Sequence, residues 1–411
     1  MKIIIYPSFE EEHNDLKRRA NTYLLYGRSF DDFTVCHLTG FSKRSYPIGL
    51  VTIGSSPSQE PIVTAKELDY PYLHIMVEKD LSTLKVDLYQ SEANKESIDV
   101  DIEYIDLDRL FVRIDQTETP LSVLSQKKVA IIGMGSGGAL LALYLAKSGV
   151  KKFIFIDDDH IETHNIIRHI CDLDNLGRFK TLAVKDFIEA RIPDVKIKTV
   201  ERKFDLFTKA DFDFYYDLLA DVNLIAAVSG EHDVNYAIND FIHSNQLNIP
   251  IIYAGTFDGV KGGLMFKVDP QNDDYCYHCI YSKPDENGSI QTKAIPTTIE
   301  LEQKISYDRT LQEQLAQPGL GLDIDTLTMF VAKFSLDILL SGEEHGLYHF
   351  PYNFYMWFNR TIMTADETSV KYEGLELYYY EDLEKDPDCP FHGIQALDDN
   401  IQTEKEEESK E

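Results

Sequence analysis

The chain has 411 residues, with 70 acidic against 40 basic side chains and a formal net charge of −30. So acidic a composition repels phosphate backbones and anionic lipid, which excludes a broad nucleic-acid or membrane-binding role and confines any phosphate binding to a local site. No apolar run approaches the roughly 20 residues that span a bilayer, the opening MKIIIYPSFEEE is too short in apolar residues for a secretory signal, and five cysteines do not form a disulfide framework; a cytosolic protein of two or three structural units is expected.

Residues 1–118 alternate β-rich runs (MKIIIY, IGLVTIG, YLHIMVE, VDIEYIDL) with polar connections such as SSPSQEP and SEANKES. They hold no catalytic motif and read as an α+β accessory domain that positions a partner or packs on a subunit. The stretch DQTETPLSVLSQ is rich in turn formers and serves as a linker. From Val129 onward, the strands VAIIG, KFIFID, IKTVER, LIAAVS and PIIYAG are separated by the helical patterns ALLALYLAKSG, FKTLAVKDFIEAR and DVNYAINDFIHSN. That alternation predicts an α/β fold of Rossmann-like type over residues 125–392, a mainly parallel sheet with helices on both faces. Such sheets bind ligands at the carboxyl ends of their strands. Further on, DTLTMFVAKFSLDILLSG has helical apolar spacing, YHFPYNFYMWFN and LELYYYED read as strands, and 396–411 reads as an acidic disordered tail.

The strand VAIIG runs into a glycine turn in which Gly133, Gly135 and Gly138 precede a helix, so backbone N–H groups at a helix start can meet phosphate. Asp157 follows 24 positions after Gly133, at the end of KFIFID, where a carboxylate can accept ribose hydroxyls. A dinucleotide-dependent dehydrogenase needs no more, but the chain continues through Asp159, Asn165 and Arg168 to Lys180 in GRFK. Two cations near a triphosphate suit reaction at phosphorus, where charge builds on non-bridging and leaving oxygens. Arg168 and Lys180 are the candidates for neutralising it, Asn165 for holding the β- or γ-phosphate, and Asp159 for orienting Arg168.

A second constellation is Cys276 and Cys279 in DYCYHCIY with Cys389 and His392 in DPDCPFHG. Two short knuckles can close one tetrahedral zinc site of three cysteines and one histidine. Its expected role is structural, pinning the C-terminal segment to the nucleotide domain, with His278 as a surface residue between ligands.

On these residues the chain resembles the ThiF/MoeB/HesA superfamily, adenylyltransferases related to ubiquitin-activating enzymes, over about residues 125–280 and more weakly to 392. The resemblance implies ATP held at the glycine turn GMGSGG (Gly133, Gly135, Gly137, Gly138), Asp157 on the ribose, and Asn165, Arg168 and Lys180 as NxxR and GxxK elements. It also implies a Mg²⁺-binding aspartate after LIAAVS; this chain reads VSGEHD there, leaving Glu231, the preferred ligand, and Asp233. A homodimer is implied as well, with an arginine acting in trans, for which Arg109 and Arg113 are the nearest positions.

Ubiquitin-activating relatives carry a crossover cysteine that captures the activated carboxylate, whereas residues 280–388 of this chain contain none. Cys36 and Cys171 remain, and Cys171 is expected to be a small buried or loop residue. The chemistry implied therefore ends at an acyl-adenylate, formed on the C-terminal carboxylate of a small ubiquitin-like or sulfur-carrier protein. Two alternatives stand beside it: a microcin-type synthetase joining a nucleotide to a short ribosomal peptide, and a non-catalytic scaffold if Glu231 binds no Mg²⁺.

Overall fold

The structure is a computed structural model that describes residues 1–16, 22–30, 33–39, 46–53, 71–77, 84–91, 93–115, 118–272, 275–281, 319–363, 369–381 and 385–392, with single residues 68, 81 and 383. It divides into two compact units, Met1–Leu110 and Phe111–Glu411. The acidic tail at 396–411 and residues 282–318 of the cysteine-free stretch lie outside the described residues.

The first unit is an eight-stranded mixed sheet in the order β7-β6-β5-β4-β2-β3-β1-β8. Its strands are β1 (Lys2–Ile5), β2 (Thr22–Phe30), β3 (Val35–Leu38), β4 (Tyr46–Ile53), β5 (Tyr72–Val77), β6 (Leu84–Ser91), β7 (Asn94–Ile98) and β8 (Asp101–Tyr104), with helix α1 (Pro7–Leu16) after the first. Strand β1 alternates half-buried and buried residues, which puts Ile3 and Ile5 into a core with Leu25, Cys36, Leu73 and Ile75. Burying each such aliphatic side chain contributes roughly 1.5–3 kcal/mol. Strand β7, NKESI, is exposed along most of its length; at the sheet edge its Lys and Glu discourage pairing with another chain.

The second unit holds an eight-stranded sheet in the order β11-β10-β9-β12-β13-β14-β15-β18. Strands β9 (Lys128–Ile132), β10 (Lys152–Ile156), β11 (Lys196–Val200), β12 (Leu224–Ala227) and β13 (Ile251–Thr256) pair in parallel, as the βαβ pattern predicts. Strands β14 (Gly262–Val268), β15 (Phe354–Phe358) and β18 (Leu377–Tyr380) extend it antiparallel, while β16 (Ile362–Met363) and β17 (Val370–Tyr372) form a separate pair. The parallel strands are buried on both sides and so read as continuous apolar runs.

Helices cover both faces. Alternate residues of β9 point opposite ways: Val129 and Ile131 join one core with α2 (Ser136–Lys147), α3 (Lys180–Glu189) and α7 (Gly321–Leu339). Ala130 and Ile132 join another with α4 (Lys209–Leu219), α5 (His232–Ser244) and α6 (Tyr277–Tyr281). The sequence reading lacks α4, although its start is marked: Thr208 accepts the N–H of Asp211, whose carboxylate returns to the Thr208 backbone. No helix among the described residues is long and apolar enough to cross a membrane.

Candidate active site

Strand order reverses at β9, whose neighbours are β10 on one side and β12 on the other. Crevices at the carboxyl ends of strands form at such a reversal, and the glycine turn sits there. Gly133 has φ +99°, and a Cβ on it would lie 2.5 Å from Cα of Ser229, so the ends of β9 and β12 approach too closely for a side chain. A Cβ on Gly138 would stand 1.9 Å from the carbonyl oxygen of Gly133, which lets the first turn of α2 close onto the strand end. Gly135 caps α2 in extended conformation, leaving the first-turn N–H groups for an anion.

The carboxylate of Asp157 ties two loops together. Its Oδ2 accepts the N–H of Met134 at 2.5 Å in the glycine turn, and its Oδ1 accepts the N–H of Asp159 at 2.7 Å. Burial pushes this carboxyl upward against those two bonds. Asp159 holds Lys180, with Nζ 2.7 Å from its Oδ2, and its carbonyl also accepts the Lys180 N–H at 2.9 Å. Lys180 is the first residue of α3 and is 8 % exposed, so its stem is packed and its ammonium fixed. Asn165 ends a 3₁₀ turn (Thr163–Asn165), where its Oδ1 accepts the Glu162 N–H at 3.0 Å; that directs its amide N–H₂ away from the capped backbone.

Arg168 lines a cavity of about 230 Å³ with Gly135, Ser136 and Gly137 of the turn, Ser229 and Gly230 beyond β12, Gly255 and Thr256 of β13, and Ile324 and Thr328 of α7. The structure thus brings the glycine turn and Arg168 onto one cavity, and links Asp157 to that turn and, through Asp159, to Lys180. Glu231 is placed differently. It occupies the cap position of α5, and its carboxylate lies 2.5 Å from Nζ of Lys203, which also reaches Asp233 at 3.0 Å. The two carboxylates raise the Lys203 ammonium well above its usual range. Gly230, not Glu231, contributes to the cavity wall.

Two residues absent from the sequence reading shape the site. Lys203, in the loop after β11, claims both acidic candidates, and no motif marks it. His169, 8 % exposed, bridges the turn to the arginine loop: its Nε2 is 3.1 Å from the Met134 carbonyl oxygen and its Nδ1 accepts the Cys171 N–H at 3.2 Å. An Nδ1 that accepts and an Nε2 that donates define a neutral ring, and burial lowers its pKa further. Cys171 is buried in the core beneath α2 and α3, and Cys36 is buried in the first unit, its thiol pushed up to about 12 by burial.

The four knuckle residues converge. Sγ of Cys276 lies 3.8 Å from that of Cys279 and 3.5 Å from that of Cys389, and Nδ1 of His392 lies 3.1 Å from Cys279 and 3.5 Å from Cys389. All four are buried and able to share one metal ion. The bond from Cys276, then that from His392, holds the Cys279 thiol down to about 3, while Cys279 and burial push Cys276 up. His278 turns elsewhere, to Asp240 at 2.7 Å. Arg109 and Arg113 are exposed, in the 3₁₀ turn Leu107–Phe111 and the helical turn Val112–Asp115.

A parallel sheet whose strand order reverses at a glycine turn, with an acid at the next strand end, is an architecture common among nucleotide-binding α/β proteins. The ThiF family pattern matches residues 83–369, most of the chain, and the chain belongs to the ThiF family. It is 24% identical over 272 residues to "Uncharacterized protein y4qC" of Sinorhizobium fredii, covering 65% of this chain and 44% of that one. It is 27% identical over 171 residues to "SAMP-activating enzyme E1" of Haloferax volcanii, covering 41% of this chain and 58% of that one. With "Adenylyltransferase and sulfurtransferase UBA4" of Scheffersomyces stipitis the figures are 28% over 171 residues, 41% and 36%. The chain therefore spans between about a third and three fifths of the length of these relatives. Among solved structures, E. coli MccB is similar at 18% identity and a TM-score of 0.47, over 66% of each chain.

Proposed function

We propose that the chain is an ATP-dependent adenylyltransferase that activates the C-terminal carboxylate of a small ubiquitin-like or sulfur-carrier protein as an acyl-adenylate. The observation that carries this reading is the convergence of the glycine turn and Arg168 on one cavity, with Lys180 fixed nearby through Asp159. ThiF-family membership and relatives named as adenylyltransferases support it. In the reaction a carboxylate oxygen bonds to the α-phosphorus of ATP, the bond from that phosphorus to the bridging oxygen breaks, and pyrophosphate leaves with the electron pair. Helix-start N–H groups of α2 hold phosphate oxygens, while Arg168 and Lys180 neutralise charge on the reacting and leaving groups. The amide N–H₂ of Asn165 meets a terminal phosphate, and Asp157 keeps unused lone pairs for the ribose.

Mg²⁺ would take a carboxylate oxygen and substrate phosphates. Glu231 is the proposed ligand, and Lys203 must then yield it. The Asp157–Asp158–Asp159 turn offers a further carboxylate group of the right spacing.

Zinc suits the knuckle. Bonds of about 2.3 Å to sulfur and about 2.0 Å to nitrogen give tetrahedral ligand separations of about 3.5–3.8 Å, which three of the four distances match, while Cys279–His392 is closer at 3.1 Å. The Asn239 Oδ1 receives the Tyr277 N–H at 2.9 Å, which fixes the backbone between the first two ligands. The group would hold α6 and the Cys389–His392 segment together. A homodimer in which Arg109 or Arg113 serves the neighbouring site belongs to the same reading.

The test is ATP–pyrophosphate exchange with a ubiquitin-like protein encoded beside this chain, set against a short peptide. Exchange with the protein alone supports the reading, exchange with the peptide alone transfers it to a peptide synthetase, and exchange with neither leaves a scaffold.

A further inference from the structure

Helix α5 reaches both the cavity and the knuckle. At its start Gly230 lines the cavity wall, Glu231 caps the helix, and the carboxylates of Glu231 and Asp233 both meet Lys203. Along its side it grips the knuckle. His232, Asn235, Asn239 and Asp240 are spaced as i, i+3, i+7 and i+8, which brings them to one side of the helix. All four bond to Tyr277 or His278, the two residues between Cys276 and Cys279. The Tyr277 hydroxyl accepts from Asn235 Nδ2 at 3.2 Å and pairs with His232 Nδ1 at 2.6 Å. The Tyr277 N–H goes to Asn239 Oδ1 at 2.9 Å, and His278 Nε2 donates to Asp240 Oδ1 at 2.7 Å. The backbone N–H of Asn235 in turn bonds the Glu231 carbonyl at 3.1 Å, so one residue touches both the helix start and the metal turn. A neighbouring stripe, Val234, Ile238, Phe241 and Ile242, is buried in the core, and the helix is held along its length.

We propose that His232, Asn235, Asn239 and Asp240 are positioning residues that couple the knuckle to the nucleotide cavity, so that zinc and ATP each tighten the binding of the other. The inference rests on the adenylation reading, which puts ATP in the cavity and gives Glu231 a second partner besides Lys203. Pinning the Cys389–His392 segment needs only the metal, whereas these four bonds tie the metal turn to the helix that starts at the cavity wall. A metal that fixes Cys276 and Cys279 fixes Tyr277 between them. Through His232 and Asn235 it then fixes the helix start beside Glu231 and Gly230. Without metal, that order must be established when the nucleotide binds; with metal, it is already in place, and the nucleotide binds more tightly. Linkage makes the effect reciprocal and equal in size.

The test measures both sides of the cycle on the full chain. ATP with excess Mg²⁺ is titrated by calorimetry into zinc-loaded and chelator-stripped protein, and zinc affinity is read by chelator competition with and without saturating ATP. In the parent the two factors should agree at about tenfold, within the usual range for coupled sites. His232→Phe keeps a ring against Tyr236 and Tyr281 but loses the bond to Tyr277. It should bind zinc alone as the parent does and show a factor of roughly threefold or less. Zinc taken up by the nucleotide itself is the same for both proteins, so the difference between them belongs to the chain. Equal ATP affinity in folded protein with and without zinc overturns the coupling and leaves adenylation standing. So does an ATP effect on zinc that His232→Phe shares in full, because ligands that merely favour the folded state would produce it without these bonds. Should the stripped chain unfold, the zinc side of the cycle decides by the same comparison. A chain that takes up no zinc overturns the coupling as well. A zinc-loaded chain that binds no ATP overturns the adenylation reading itself.

Discussion

The glycine-turn edge of the second unit and its cysteine knuckle place their polar groups in opposite ways. At the edge, the groups come from backbone N–H donors and from side chains on consecutive loops, each held by near neighbours: Asp157 by Met134 and Asp159, Lys180 by Asp159, Asn165 by Glu162. At the knuckle, four buried side chains come from two segments 113 residues apart and converge on one point. The edge is thus supported by a sheet that stands without it, so changes there should alter turnover more than folding. The knuckle is itself the support, and the reverse should hold.

The largest effect expected is therefore at the knuckle. Cys389→Ser, or stripping metal with a chelator, should lower stability by several kcal/mol, a fall of about 10 °C or more in the thermal midpoint, with the loss of one equivalent of bound zinc by elemental analysis. A midpoint unmoved by chelation would erase the contrast between the two regions. Next comes Arg168→Ala, which should reduce pyrophosphate exchange about 10²–10³-fold, the usual cost of one charge-stabilising donor, with a thermal midpoint within about 2 °C of the parent. If that protein unfolds early, Arg168 is a structural residue and the edge is not separable from the fold. Gly133→Ala tests how far the edge and the sheet beneath it are separable. Its positive φ and the 2.5 Å approach to Ser229 should cost about 1–3 kcal/mol and loosen nucleotide binding together, measured by urea unfolding and by ATP titration.

Much of this arrangement is legible in the sequence because it is local. Five apolar runs give the parallel strands, since a strand buried on both faces needs no alternation, and glycine, acid, amide and cations follow one another within 48 positions. Antiparallel β14, GGLMFKV, and helix α4 were not legible, the first because it opens on two glycines forced by close approach to β15 and α7, the second because its aromatic and acidic residues mask an amphipathic face. Lys203 and the pairing of Asp159 with Lys180 depend on loops meeting in space, which no spacing encodes. The first unit shows the same limit: β2, β3, β6 and β7 are absent from the sequence reading, and the exposed β7 has no buried face to impose a period.

The smallest effect expected lies at the edge and is read through pH. His169 is neutral and buried, giving its Nε2 proton to the Met134 carbonyl and accepting the Cys171 N–H at Nδ1. Burial lowers its pKa below 6.5, and the Lys180 ammonium adds to the shift. In the unfolded chain the ring titrates near that ordinary value, so below pH 6.5 the unfolded state binds the proton that the fold refuses. The stabilisation from the neutral ring is complete above pH 6.5 and declines as pH falls toward the depressed folded value. His37, His74 and His232 are lowered in the same direction and contribute to the overall slope, so only a difference isolates His169. Urea midpoints of the parent and of His169→Gln, compared at pH 8, 7, 6 and 5.5 as chosen points on either side of that pKa, should converge as the pH falls. A constant gap across the series would show that the ring does not titrate between folded and unfolded states.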